Sequence, residues 1–254
     1  MTNLLDQGLP VDVVYFDFRK AFDTVCHRRL GHKLDKIGIS GPVREWIMKW
    51  LEDRTQRVVL NGSFSDWISV LSGAPQGSVL GPILFIIFIN DIEECVNELL
   101  YIFADDTKLV GEAQSDESIY KLQITINKLN EWANRWKMQF NSAKCSVMHL
   151  GTSNKRHSYT LGGVSLKSTD SEKDVGIMIQ QSGKFSEQCR KVANKCNQIT
   201  GQVRRSFTNK DPVLMKRIFS MYILPHINYG SAVWKPSYLK DIALIESIQR
   251  RLRG

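Results

Sequence analysis

Tyr101 to Val110 read YIFADDTKLV. Two carboxylates, Asp105 and Asp106, stand side by side at the end of an apolar run, and a buried charge is costly unless something neutralises it. The residues around them predict a strand, a turn and a second strand, with the acids at the hairpin tip. A third acid, Asp17, closes another run dense in β-branched and aromatic residues, VDVVYFDF from Val11 to Phe18, which reads as a buried strand. A mixed sheet that made these strands neighbours would gather three carboxylates. Such a cluster repels itself without cations, and its hard oxygen donors suit Mg2+ or Mn2+. Two such ions about 3.5–4 Å apart can activate an attacking oxygen and stabilise a leaving one in phosphoryl transfer. Adjacent strand residues point to opposite faces unless a turn rotates one back, so one member of the pair is the fuller ligand, and we take Asp105. Taken alone, an Asp-Asp pair is most often a turn or a solvated pair, and Asp23 reads equally well as a helix N-cap.

The composition points the same way. The chain has 254 residues, a length that holds one large domain or two small ones, and a formal charge of +8. A clustered excess of Lys and Arg favours a polyanionic partner through counterion release. The five cysteines are odd in number and scattered, with no C-x-x-C, which argues against a disulfide framework or a zinc site and fits a reducing, intracellular compartment, nuclear or cytoplasmic. The most apolar stretch, VLGPILFIIFI from Val79 to Ile89, is too short to span a bilayer and reads as a buried helix. No secretory signal is apparent and no membrane partner is expected.

Along the chain, HRRLGHKLDKIG and GPVREWIMKWLEDR predict two helices, QRVVLNGSFSDWISVLSG two strands about an Asn-Gly turn, and Val79 to about Leu99 a helix. Ile119, Leu122, Ile126, Leu129 and Trp132, with Trp136, fall at helical spacing between Ser115 and Met138. CSVMHLG, YTLGGVSL and KDVGIMI read as strands, the middle one a hairpin at Gly162-Gly163. From Phe185 the chain is mostly helical and more basic, which places a boundary near residue 180. The fold class expected is α+β.

YFDFRKAFDTV, SGAPQGSVLGPILFIIFINDI and IFADDTKL, in this order, resemble the three central motifs of reverse transcriptases, in the form found in non-LTR (LINE-type, jockey-like) retrotransposons. The resemblance continues through LNEWANRWKMQFNSAKCSVMHLG and the basic tail and covers essentially the whole chain. It implies a right-hand polymerase palm, an antiparallel sheet packed on helices, over residues 1–180. Partial fingers would lie at about 27–73, a primer-grip-like hairpin at about 158–180, and a helical thumb at 181–254. The implied reaction is two-metal nucleotidyl transfer, in which a primer 3′-hydroxyl attacks a dNTP on an RNA template.

Position by position, the resemblance makes Asp17, Asp105 and Asp106 the catalytic metal ligands for two Mg2+ or Mn2+ ions, with the backbone carbonyl of Phe18 completing the set. Phe22 matches the bulky residue that packs on the deoxyribose and would clash with a 2′-hydroxyl. Gln76 and Gly77 match the loop lining the incoming nucleotide, where glycine allows close approach and the glutamine amide offers donor and acceptor. Lys144 matches a general acid for the pyrophosphate leaving group. Arg190, Lys191, Lys195, Arg204 and Arg205 are left available for phosphates once Val192, Cys196, Ile199 and Val203 turn inward. Only sixteen residues precede Asp17. The first part of the fingers and an upstream endonuclease are therefore expected to lie outside this chain, as a segment of the parent element that would complete it, and the last helix to continue. The alternative function is a weak or inactive remnant that binds RNA or an RNA/DNA hybrid.

Overall fold

A strand as apolar as VDVVYF has to be covered on both sides along its length, and this one lies in the middle of a five-stranded sheet. The computed structural model describes residues 2–207 and 211–253. It divides into two compact units, meeting in sequence at Ser168 and Thr169.

The first unit begins with α1 (Thr2–Asp6) and β1 (Val11–Phe16), followed by a 3-10 turn (Ala21–Thr24) and two helices, α2 (His27–Lys36) and α3 (Gly41–Leu51). A long exposed hairpin comes next, its strands interrupted into β2 (Thr55–Gln56), β3 (Val59–Leu60), β4 (Ser63–Phe64) and β5 (Ile68–Ser69). Its tip is the expected Asn-Gly turn, with Asn61 at φ +48° and Gly62 at φ +82°, the left-handed pair whose twist suits a two-residue hairpin. Helix α4 (Leu80–Ile89) stops earlier than the sequence suggests. It gives way to 3-10 turns (Asn90–Cys95) where Asp91 turns inward to accept hydrogen bonds from Lys33 Nζ at 2.6 Å and Trp132 Nε1 at 2.8 Å. Strands β6 (Leu99–Phe103) and β7 (Asp106–Glu112) form the second hairpin, and α5 (Asp116–Trp136) follows. Helix α5 opens on a capping box of Ser115 and Ser118 and buries the predicted stripe of Ile119, Leu122, Ile126, Leu129 and Trp132.

The sheet is completed by β8 (Ser146–Leu150) and β11 (Lys167–Ser168), with the β9–β10 hairpin (Thr160–Leu161 and Val164–Ser165) between them in sequence. Strand order is β11-β8-β1-β7-β6, antiparallel except for β11 on β8. Val14 and Phe16 of β1, Leu109 of β7 and Val147 of β8 share one core with Leu30, Leu84, Phe85, Phe88 and Leu129 from the helices. By strand alternation Tyr15 and Asp17 lie on the opposite face.

Two buried polar clusters pin this unit. Asp12, fully buried in β1, accepts from Tyr159 Oη at 2.7 Å and Asn154 Nδ2 at 2.8 Å and lies 2.7 Å from His149 Nδ1. The other ring nitrogen of His149 meets Ser168 Oγ at 3.0 Å, so β1, β8 and the segment 154–168 are tied through one carboxylate. Lys33, 4% exposed, meets Asp91 and lies over the rings of Phe88, Trp132 and Trp136, the last at 3.7 Å. Burial lowers the Lys33 pKa, and its bond to Asp91 opposes that shift.

The second unit begins earlier than the change of composition near residue 180 indicates. KDVGIMI is not one strand but the turn of a hairpin, β12 (Ser171–Asp174) with β13 (Ile177–Gln180), and Ile177 belongs to the second unit's core. The segment 158–180 is therefore divided between the units. Val175 takes φ +43° in that turn, and the Tyr229 hydroxyl donates to its carbonyl at 2.9 Å. Helix α6 (Ser186–Ser206), α7 (Pro212–Ile218), a π-helical segment (Phe219–Ile223), α8 (Leu224–Asn228), α9 (Ser231–Trp234) and α10 (Leu239–Arg253) make the rest. They pack Cys189, Val192, Ala193, Cys196, Ile223, Trp234 and Ile248 together.

Two measurements test this account. Burial, reinforced by Asp12, pushes the Tyr159 phenol well above the usual tyrosine range. The unfolded phenol ionises near pH 10 while the folded one stays neutral, so its stabilisation is complete below about pH 10 and is lost as pH rises beyond it. Tyr159→Phe should be less stable than the parent at neutral pH by about 1–2 kcal/mol in urea unfolding. Its stability should also decline less steeply above about pH 10, and an unchanged slope would assign the alkaline loss elsewhere. Secondly, Ala104, in the turn joining β6 and β7, sits at φ +53°, a left-handed conformation that costs an alanine about 1–2 kcal/mol. Ala104→Gly should raise stability by up to about 1 kcal/mol in thermal melts, and a lower melting temperature would show that the turn is unstrained.

Candidate active site at the ends of the central strands

The register of β1 on β7 decides which of the three acids are neighbours. Phe16 pairs with Thr107, so the next position on each strand sets Asp17 opposite Asp106. Asp106 in turn pairs with Phe103 across the β6–β7 hairpin. Asp105 is one of the two turn residues, with Ala104, and both acids of the pair are exposed. It is thus Asp106 that shares Asp17's row, while the left-handed Ala104 sets the direction of Asp105.

Asp17 is held from its other side by the chain after α5. Asn141 N–H donates to the Asp17 carbonyl at 2.7 Å, and Arg19 N–H to the Gln139 carbonyl at 2.8 Å. These bonds flank Phe18, whose ring stacks on Phe140 at 4.5 Å. In an extended chain successive peptide groups alternate sides, so the Phe18 carbonyl is directed away from Phe140, toward the side on which β7 lies. The Asp17 N–H donates to the Cys145 sulfur at 3.4 Å. Burial pushes the Cys145 thiol up to about 11, which keeps it protonated at neutral pH. Lys144, its neighbour, places Nζ 3.7 Å from Asp17 Oδ2, both side chains being well exposed.

The carboxylate donors here are all oxygen and reach the surface, and Lys144 accompanies Asp17, a set whose chemistry fits Mg2+ or Mn2+. It is not a preformed cage. Among the described residues no three His, Cys, Asp or Glu side chains are gathered closely enough to hold an ion.

The loop 72–81 lies against the chain that follows Asp17. Ala74 N–H donates to the Phe22 carbonyl at 2.8 Å, Gly73 N–H to Val25 at 2.8 Å, and Ser72 Oγ to the Asp23 carbonyl at 2.8 Å. Asp23 caps no helix through its side chain; its carboxylate accepts from Gln76 Nε2 at 3.3 Å. Gln76 and Gly77 are exposed, whereas Phe22 is half-buried. Gly81 makes the loop's return possible, since a Cβ there would fall 2.2 Å from the Pro75 carbonyl oxygen. Phe22 and Gln76 are therefore neighbours through Asp23, a residue the sequence reading assigned elsewhere. Cys145 was missed altogether: nothing local marks a thiol as the partner of an amide 128 residues away.

In the second unit, Arg190, Lys191, Lys195, Arg204 and Arg205 are all exposed along α6, opposite the buried Cys189, Val192, Ala193, Cys196 and Thr200. Arg204 is partly engaged, donating to the Arg251 carbonyl.

Residues 7–196 match the reverse transcriptase (RNA-dependent DNA polymerase) family. The chain is 27% identical over 257 residues to the "Probable RNA-directed DNA polymerase from transposon BS" of Drosophila melanogaster, covering 94% of this chain and 28% of that protein. It is likewise 27% identical over 262 residues to the RNA-directed DNA polymerase from mobile element jockey of the same species, again covering 94% and 28%. The chain thus spans just over a quarter of the length of these relatives. Among solved structures, telomerase from Candida tropicalis superposes with a TM-score of 0.51 at 14% identity, over 99% of this chain and 49% of that one. A complex of the same enzyme with a fragment of telomeric RNA gives 0.51 at 13% identity, over 99% and 39%. These likenesses show a right-hand polymerase fold of mixed α and β structure. Motifs, fold and relatives agree: the chain belongs to the reverse transcriptase family, and the relatives it is similar to are retrotransposon polymerases such as that of jockey.

Proposed function

We propose that this chain extends a DNA primer on an RNA template, transferring nucleotides from dNTPs to the primer 3′-hydroxyl. The observation that carries the reading is the β1–β7 register, which ends at Phe16 and Thr107 and so brings Asp17 and Asp106 to the same end of the sheet, with Asp105 in the adjoining turn. Reverse transcriptases generally use divalent metal ions. Here Asp17, Asp105, Asp106 and the Phe18 carbonyl would hold two Mg2+ or Mn2+ ions, which supply the attacking and leaving oxygens with positive charge.

The chain's own residues do the rest. Lys144 presents an ammonium beside Asp17, where Nζ serves as the proton donor to departing pyrophosphate. Gln76 and Gly77 line the approach of the incoming nucleotide, and Phe22 packs on its sugar. Residues 27–73 act as part of the fingers, the 158–180 segment grips the primer end, and the second unit acts as a thumb whose α6 cations follow the backbone phosphates of the duplex.

The test is Mg2+-dependent extension of a DNA primer on an RNA template by the full chain, beside Asp105→Ala. Extension by the parent with a loss of at least about 10³-fold in the variant is expected; equal activity in the two would overturn the reading. Template-primer binding probes α6 separately. Replacing Arg190, Lys191 and Lys195 together by Ala should weaken binding at every sequence and flatten the plot of log affinity against log salt by about one unit per phosphate contact removed. An unchanged slope would place the phosphate contacts on another surface.

A further inference from the structure

The Phe22 ring does not stand alone. It stacks on Phe85, with centroids 4.3 Å and planes 22° apart. Phe85 is fully buried in α4, in the core shared with β1. It therefore forms a floor under Phe22 that neighbouring groups prevent from yielding, because interiors are packed as densely as organic crystals.

The backbone beneath the ring is equally constrained. The Ala74 bond to the Phe22 carbonyl, with the Ser72 bond to the Asp23 carbonyl and the Gly73 bond to the Val25 carbonyl just after it, zips this segment to the loop 72–74. His27 Nε2 lies 2.9 Å from the Gly73 carbonyl and fastens the loop from its other side. Gly73, at φ +100°, allows the approach, since a Cβ there would stand 3.0 Å from both the Asp23 Cα and the Phe22 carbonyl oxygen. With the backbone fixed, the ring can still turn about χ1 and χ2, and the Phe85 ring stacked against it limits how far those turns carry it toward α4.

We propose that Phe85 is a positioning residue for sugar discrimination, holding Phe22 high enough to exclude a ribonucleotide's 2′-hydroxyl. This rests on the polymerase reading and on Phe22 facing the sugar. Phe85 itself touches no substrate. A smaller or more pliable side chain leaves space beneath Phe22; the ring settles into it, and the 2′-hydroxyl gains room.

The experiment measures kcat/KM for a dNTP and the matching rNTP on one RNA template and DNA primer, using the full chain, Phe85→Leu and Phe85→Met, with folding followed by circular dichroism. The expected result is a fall of about tenfold or more in the dNTP-over-rNTP ratio for Phe85→Leu. Phe85→Met, which keeps bulk but loses the flat ring, should show a smaller fall, and decides alone if the leucine variant does not fold. A ratio unchanged in the folded variants overturns the proposal. So does a parallel loss with both nucleotides, which is the mark of a merely structural role. A parent chain that extends nothing overturns the polymerase reading and this proposal with it, an outcome distinct from a working parent with unaltered selectivity in the variants.

Discussion

The pairing of β1 with β7 is the constraint on which the rest of this structure depends. A shift of one residue would turn Val14 and Phe16 out of the core and send Tyr15 and Asp17 into it. The same shift would separate Asp17 from Asp106. Core burial and site assembly are therefore one requirement, enforced by the same apolar side chains. The hairpin turn at Ala104 and Asp105 fixes the β6–β7 register, and the bonds of Asn141 and Arg19 extend the β1 side past the last regular strand residue.

Much of this was legible locally. Strand ends, the two-glycine and Asn-Gly turns and the α5 stripe each depend on residues close in sequence, and β-branched runs bounded by turn formers signal them directly. The Asp105–Asp106 pair reads as a hairpin tip for the same reason. What the sequence leaves hidden depends on distant partners. Helix α4 looks uninterrupted to Leu99 because nothing nearby announces that Asp91 will be drawn inward by Lys33 and Trp132. KDVGIMI looks like one strand because a valine rarely takes the left-handed conformation that Val175 adopts, with its carbonyl bonded to Tyr229. Phe22 on Phe85 and Asp17 on Cys145 are invisible for the same reason: each joins segments far apart in the chain.

The two buried polar clusters show how the first unit spends its burial on specificity of arrangement. Neither would be favoured over well-packed apolar residues on stability alone, since removing a carboxylate or an ammonium from water is expensive. Each joins separate elements through directional bonds. Asp12 ties β1 to β8 and to the segment carrying Tyr159. Lys33 ties α2 to the end of α4 and to α5, and its aromatic surroundings supply attraction that water would otherwise provide.

The central place of β1 also bears on how the chain is made. Its partners are residues 106–112 and 146–150, with Val11 pairing with both Glu112 and Leu150. During synthesis the strand emerges before both partners and waits for the later of them, for on the order of ten to thirty seconds at usual elongation rates. Until residues 106–112 follow, VDVVYF, short of charge and rich in β-forming residues, is an open edge on both sides, and until 146–150 follow it is open on one. A strand enclosed between two neighbours in the finished protein is thus an unpaired one on the ribosome.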